Sequence, residues 1–116
     1  MRHRDKTKIL GRTTGPRLAL MRSLADSFFL HGKIVTTEAK AKALRGIVEP
    51  LITKTKTGTL AGLRAAQAYL YTEKALKRLT KEIAPKYKDR KGGYTRITKI
   101  SPRQNDAAKM ARIELV

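Results

Sequence analysis

Positive charge that the chain cannot neutralise from within limits what it can fold into. Lysine and arginine number 27 and aspartate and glutamate 9, a formal net charge of +18 on 116 residues. A compact domain with that balance repels itself unless an anion surrounds it. Any fold open to the sequence must therefore spread its cations over the surface and build its core from what remains. The cations run from end to end. The first stretch carries Arg2, Arg4, Lys6, Lys8, Arg12, Arg17 and Arg22 against the single acid Asp5. A later one carries Lys86, Lys88, Arg90, Lys91, Arg96, Lys99 and Arg103 against Asp89. Taken singly, each reads as a solvated surface charge. Together they point to nucleic acid.

The length suits one domain, and 41% hydrophobic residues suffice for a modest core. The chain lacks cysteine, which removes disulfides, thiolate metal sites and thiol catalysis and fits a reducing cytosol. No apolar run approaches the roughly 18 residues that would span a bilayer. The basic N-terminus lacks the apolar stretch of a signal peptide, so export is not expected. Aromatic residues are 5% and tryptophan is absent. Phosphate contacts and shape are therefore expected to outweigh a base-stacking platform.

Residues 1–16 have no hydrophobic periodicity and end at Gly15-Pro16, so they read as a basic N-terminal arm; residues 17–116 read as a single domain. Pro16 suits the first turn of a helix. From Arg17 to about Leu30, Leu18, Met21, Leu24, Ala25, Phe28 and Phe29 fall on one arc, with Arg22, Ser23, Asp26 and Ser27 on the other side. Gly32 supplies the stop. Lys33 to Thr37 is short and β-branched, hence a strand. Thr36 or Thr37 then caps a second helix with Leu44, Ile47, Val48, Leu51 and Thr55 on one face, and Pro50 is expected to kink or divide it. Thr59 caps a third helix that buries Leu60, Leu63, Ala66 and Leu70. Thr72 caps a fourth with Leu76, Leu79 and Ile83 inward, which Pro85 ends. Tyr94 to Ile100 and Met110 to Val116 read as strands, the latter with Ala111, Ile113 and Leu115 on one side and Arg112 and Glu114 on the other. The fold class is α/β (α+β): a two-layer sandwich of order α-β-α-α-α-β-β, with a small mixed sheet against helices.

Catalysis finds no foothold. The nine acids are dispersed, without the close pair that a metal-dependent nuclease or an acid–base couple needs. His3 and His31 lie on different elements and lack metal-ligand spacing. Gly92-Gly93 lacks the downstream Lys-Ser/Thr of a phosphate-cradling nucleotide loop. We therefore expect no enzyme activity, cofactor, metal or small-molecule substrate. Binding finds several footholds. The arm can order among phosphates when it binds. His3 and Tyr94 are the polar aromatics nearest the basic clusters; each could stack on an unpaired base, and for Tyr94 a packing role is equally open. Gly92 and Gly93 read as a strained turn, as a close approach to a sugar–phosphate backbone, or both. Charge and position add Arg17, Arg22, Lys40, Lys42, Arg45, Lys54, Lys99 and Arg103 to the RNA-contact candidates.

Five motifs in register carry a family resemblance: Met1-Arg2-His3-Arg4, His31-Gly32-Lys33-Ile34-Val35-Thr36-Thr37, Val48-Glu49-Pro50-Leu51-Ile52-Thr53, Gly92-Gly93-Tyr94-Thr95-Arg96-Ile97 and Ile113-Glu114-Leu115. In that order and spacing the chain closely resembles the bacterial L-seventeen family of large-subunit ribosomal proteins over essentially its whole length. The resemblance implies a cytoplasmic structural constituent of the large ribosomal subunit. It would bind and stabilise large-subunit ribosomal RNA near the peptide exit tunnel and have neighbouring ribosomal proteins as further partners. Carried over by motif, the RNA-facing residues are the arm from Arg2 to Lys8, Arg12, the block from His31 to Thr37, and Arg90 to Arg96. From Thr57 to Lys81 the likeness is one of helical pattern alone, and it assigns no contacts there. The chain stops at Val116 without an appended tail, and no extra domain is expected.

Other readings of the charge fare worse. A nucleoid-type architectural DNA-binding protein would show helix-turn-helix spacing or a β-ribbon arm with an apolar wedge, and neither occurs. A nuclease or toxin lacks its carboxylates or paired histidines. A membrane-surface protein would gather its cations opposite one exposed apolar helical face, and these are dispersed.

Overall fold

The computed structural model describes residues 10–11 and 13–116. The expected N-terminal arm, apart from residues 10–11 and 13–16, lies outside the described residues. Helix α1 spans Thr14–His31, so it begins three residues before Arg17, with Pro16 in its first turn, where a missing N–H costs no hydrogen bond. It ends as expected at Gly32, whose φ of 77° suits glycine and whose N–H donates to the Phe28 carbonyl at 2.7 Å. Met21, Ala25, Phe28 and Phe29 are buried, and the two phenylalanine rings meet edge to face at 5.6 Å.

Two residues of α1 depart from the expected faces. Leu18, expected inward, is 55% exposed, and Asp26, expected outward, is 7% exposed. The reason for the second is a specific acceptor role. The Asp26 carboxylate takes the Thr72 N–H at 3.0 Å and the Thr72 hydroxyl at 3.1 Å, and that hydroxyl in turn accepts the Ala75 N–H. One turn earlier, Arg22 donates from Nε to the Tyr69 carbonyl at 2.8 Å and from Nη2 to the Ala68 carbonyl at 2.9 Å. Arg22 and Asp26 thus grip the end of one helix and the start of the next, satisfying polar groups that helix termini leave open.

Strand β1, Lys33–Thr37, leads into helix α2, Glu38–Lys56. Thr37 is the cap, its hydroxyl accepting the Lys40 N–H at 3.4 Å. Buried Ala41, Leu44, Val48, Leu51, Ile52 and Thr55 form its inner face. Pro50 does not divide the helix. It is exposed, so the Gly46 carbonyl left without a partner lies on the solvent side.

Helix α3, Leu60–Tyr69, is capped by Thr59 as expected, but its inner face is not the leucine face. Leu60 is 59% exposed and Leu63 38%, while Gly62, Ala66 and Leu70 are buried. The helix lies so close to the end of α2 that only the smallest side chains fit between them. Helix α4, Glu73–Arg78, is capped by Thr72 and continues through a π-helical turn, Leu79–Ile83, into a last turn α5, Ala84–Lys86. Pro85 therefore sits inside the helical end rather than after it. The widened turn comes directly ahead of it, where a regular helix would press the proline ring against the Lys81 carbonyl.

Strands β2, Thr95–Ile100, and β3, Met110–Leu115, complete a sheet of order β1-β3-β2. Both pairings are antiparallel, so the sheet is not mixed: β3 returns between the two strands that precede it. Thr36, Ala111, Ile113 and Thr95 are buried on the face toward the helices, where Ile34, Ile97 and Leu115 also pack. The buried apolar residues of helices and sheet form one cluster. Among the described residues no helix is long and apolar enough to cross a membrane.

Candidate nucleic-acid interface

Register decides which side chains share a face, because residues directly opposite in an antiparallel pair point the same way. On the face away from the helices, Lys33, Glu114 and Arg96 form one cross-strand row, and Val35, Arg112 and Thr98 form the next. Lys33 and Arg96 stand two strands apart, roughly 10 Å. The face thus carries three cations around one carboxylate, Glu114, which lies 3.7 Å from the Arg112 Nε. Lys33 and Arg96 are exposed, and among the described residues their side chains make no hydrogen bond or ion pair.

Topology also joins two segments that are far apart in sequence. β1 and β2 both run antiparallel to β3, so both begin at the same end of the sheet. The corner of His31, Gly32 and Lys33 and the loop from Arg90 to Gly93 both lie there, one on each side of the end of β3, where Leu115 donates to the Gly32 carbonyl at 3.0 Å and Val116 to the Tyr94 carbonyl at 2.9 Å. The loop's conformation rests on Gly93, whose φ is 62°, and nothing lies within 4 Å of where a Cβ would stand at Gly92 or Gly93. The turn requires glycine at position 93, and the backbone beside it is open to a ligand. Lys91 is exposed and unpaired among the described residues, while Arg90 donates from Nε to the Gly92 carbonyl at 3.2 Å.

The remaining sequence candidates fall into distinct groups. Tyr94 takes the packing role: it is 1% exposed, its N–H donates to Glu49 Oε2 at 2.9 Å, its hydroxyl to the Arg90 carbonyl at 3.2 Å, and its ring meets Tyr87 edge to face at 5.4 Å. Buried in this way, it offers no ring face to a base. Thr36 and Thr95 are buried against the helices, and Thr37 spends its hydroxyl on the α2 cap. Arg22 is committed to the α3 carbonyls, with its guanidinium 4.6 Å from the centre of the Tyr71 ring. Lys42 and Lys99 both reach Glu38, at 2.9 and 3.8 Å, and the carboxyl is held below its usual range, chiefly by the hydrogen bond from Lys42. Arg45 pairs with Glu49 at 3.0 Å and Arg103 with Asp106 at 3.2 Å. Arg17, Lys40 and Lys54 lie on the helices at or near the surface, and His31 is exposed at the end of α1. Arg2, His3, Arg4, Lys6, Lys8 and Arg12 lie outside the described residues.

Sequence reasoning did not count Arg112 among the contact candidates, although the alternation of β3 had already placed it opposite Ala111 and Ile113. The signal was the strand's own period of two. Arg112 lies at the middle of the open face because β3 is the central strand, a fact of pairing rather than of pattern. Among the described residues no three histidines, cysteines or carboxylates gather as a metal site would require.

An open sheet face with a cationic end and a glycine loop has the charge and shape that an extended polyanion would need. A protein from Gemmatimonas aurantiaca named large ribosomal subunit protein bL17 is 51% identical over 116 residues, covering all of this chain and 98% of that one. Proteins of the same name from Desulfitobacterium hafniense and a Thermoanaerobacter species are 52% and 51% identical over 107 residues, covering 92% of this chain and 96% of theirs. The family described as Ribosomal protein L17 matches residues 20–116, from within α1 to the last residue of the chain. The chain belongs to that family.

Proposed function

We propose that this protein is a structural constituent of the large ribosomal subunit, without catalytic function, that binds and stabilises large-subunit ribosomal RNA in the cytoplasm. The observation that carries the reading is the placement of the His31 to Thr37 and Arg90 to Arg96 blocks at one end of the sheet, where Lys33 and Arg96 are exposed on the face that also holds Arg112 and Glu114, and Lys91 is exposed in the adjoining loop. Such a surface meets the phosphate backbone through charge, while the open loop at Gly92 and Gly93 admits close backbone approach. The basic arm ahead of α1 adds cations from Arg2 to Arg12. The family resemblance adds a position near the peptide exit and ribosomal protein neighbours.

The test is binding to a large-subunit rRNA transcript across a salt series. If roughly 6–10 phosphates are contacted, affinity falls by about 10³–10⁵ between 50 and 200 mM salt. In parallel, tagged protein expressed in a bacterium co-sediments with large subunits and resists a moderate-salt wash. Salt-independent binding, or sedimentation with DNA in place of subunits, would remove the reading.

A further inference from the structure

A second group of cations lies on α4, in the segment to which sequence resemblance assigns no contacts. Lys74, Lys77, Arg78 and Lys81 recur at i, i+3, i+4 and i+7, the spacing that places side chains on one helical face. Ala75, Leu79 and Ile83 take the opposite, buried side. With Leu30 and Glu82 the four cations line a concavity of about 320 Å³. Lys81 belongs to the π-helical turn, a distortion that recurs at functional positions in helices.

The stripe is not explained by internal pairing. Neighbouring like charges at these spacings repel and destabilise the helix that carries them. The sole acid of the concavity, Glu82, reaches Arg78 Nη1 at 3.6 Å and is itself largely exposed. Lys74, Lys77 and Lys81 make no side-chain hydrogen bond or ion pair among the described residues, and the buried Arg78 Nε has no acceptor. The stripe is also continuous with the sheet end: Arg78 Nη2 lies 3.5 Å from where a Cβ would stand at Gly32, immediately before Lys33. Cations therefore run from α4 past the end of α1 to the face that holds Lys33, Arg112 and Arg96.

We propose that the α4 stripe is a second phosphate-contact ridge, holding the sugar–phosphate backbone of the same RNA that meets the sheet end. The inference rests on the RNA-binding reading above and extends it to Lys74, Lys77, Arg78 and Lys81. An acidic protein surface would fit less well. The three exposed lysines are flexible point charges with no apolar anchor beside them other than the half-buried Leu30.

The experiment compares the full chain with two triple variants on a large-subunit rRNA transcript over a salt series. One variant carries Lys74→Gln, Lys77→Gln and Lys81→Gln. The other carries Lys33→Gln, Lys91→Gln and Arg96→Gln. Loss of three phosphate contacts lowers the slope of log affinity against log salt by about 2 in each variant. The α4 variant, relieved of repulsion, melts no lower than the parent. If the α4 variant keeps the parental slope while the sheet-end variant loses it, the ridge is refuted and the RNA-binding reading stands. If the parent itself shows no slope, the reading falls with it. An α4 variant that binds RNA as the parent does, yet enters protein-containing subunits poorly, would assign the stripe to a protein neighbour and overturn the proposal.

Discussion

A Cβ added at Gly62 would stand 2.2 Å from the Lys54 carbonyl oxygen and 2.9 Å from its carbon, both backbone atoms of α2. In an isolated helix, replacing glycine with alanine is favourable by roughly 0.5–1 kcal/mol. Here the added methyl must push two helices apart, a cost of about 1–3 kcal/mol or more, so overpacking wins. Gly62→Ala is expected to lower the melting temperature, measured by circular dichroism, whereas Gly46→Ala, with open space around its Cβ position, is expected to raise or keep it. Tyr94 supports a second test. Tyr94→Ala empties a fully buried site and costs about 3–5 kcal/mol. Tyr94→Phe removes only the hydroxyl's bonds and costs about 1 kcal/mol. Because the ring has no exposed face, Tyr94→Phe leaves RNA affinity as it was; a loss of affinity at parental stability would show that the tyrosine meets RNA after all. The sequence left both roles of Tyr94 open because exposure depends on neighbours distant along the chain. Glu49 and Tyr87 enclose it, 45 and 7 residues away. Asp26 was illegible for the same reason: its acceptor role exists only once Thr72 arrives from another helix.

Elements were more legible than faces. Caps at Thr37, Thr59 and Thr72, the stop at Gly32 and the extent of β1 follow from local chemistry, since each depends on residues within one turn. The inner face of α3 does not. Periodicity favours Leu60 and Leu63, but distance to α2 selects Gly62 and Ala66, and only packing knows the distance. The same limit applied to Pro50 and Pro85, whose effect depends on whether the helix can turn the affected carbonyl toward water or widen around it. The α3 assignment can be checked against a strand. Leu63→Ala, at a partly solvated site, is expected to cost well under the ~2–5 kcal/mol of a buried Ile113→Ala, measured by urea denaturation. Equal losses would mean that Leu63 lies in the core. The candidate interface was legible as composition and as two sequence blocks, while their placement at one end of the sheet was not. That placement needs β3 to run between β1 and β2, and strand order is not written in any one strand's pattern.

For the molecule as a whole, charge opposes compactness, and ion pairing offsets little of it. The six ion pairs among the described residues are mostly partly or fully exposed, and pairs of that kind contribute about 0–1 kcal/mol each. Against them stands a net +18, whose mutual repulsion reaches across the domain at low ionic strength, where the screening length is roughly 30 Å at 0.01 M and 10 Å at 0.1 M. Salt should therefore act with opposite signs on two measurements. The free protein's melting temperature rises as salt goes from 10 to about 300 mM, because repulsion is screened faster than ion pairs are lost. Affinity for rRNA falls over the same range, because each counterion released on binding gains less entropy when it enters a more concentrated salt solution. At fixed low salt, saturating RNA raises the melting temperature in the way that any ligand of the native state does. A melting temperature that declined with salt in the free protein would mean that ion pairs, rather than the apolar cluster of helices and sheet, hold the fold together.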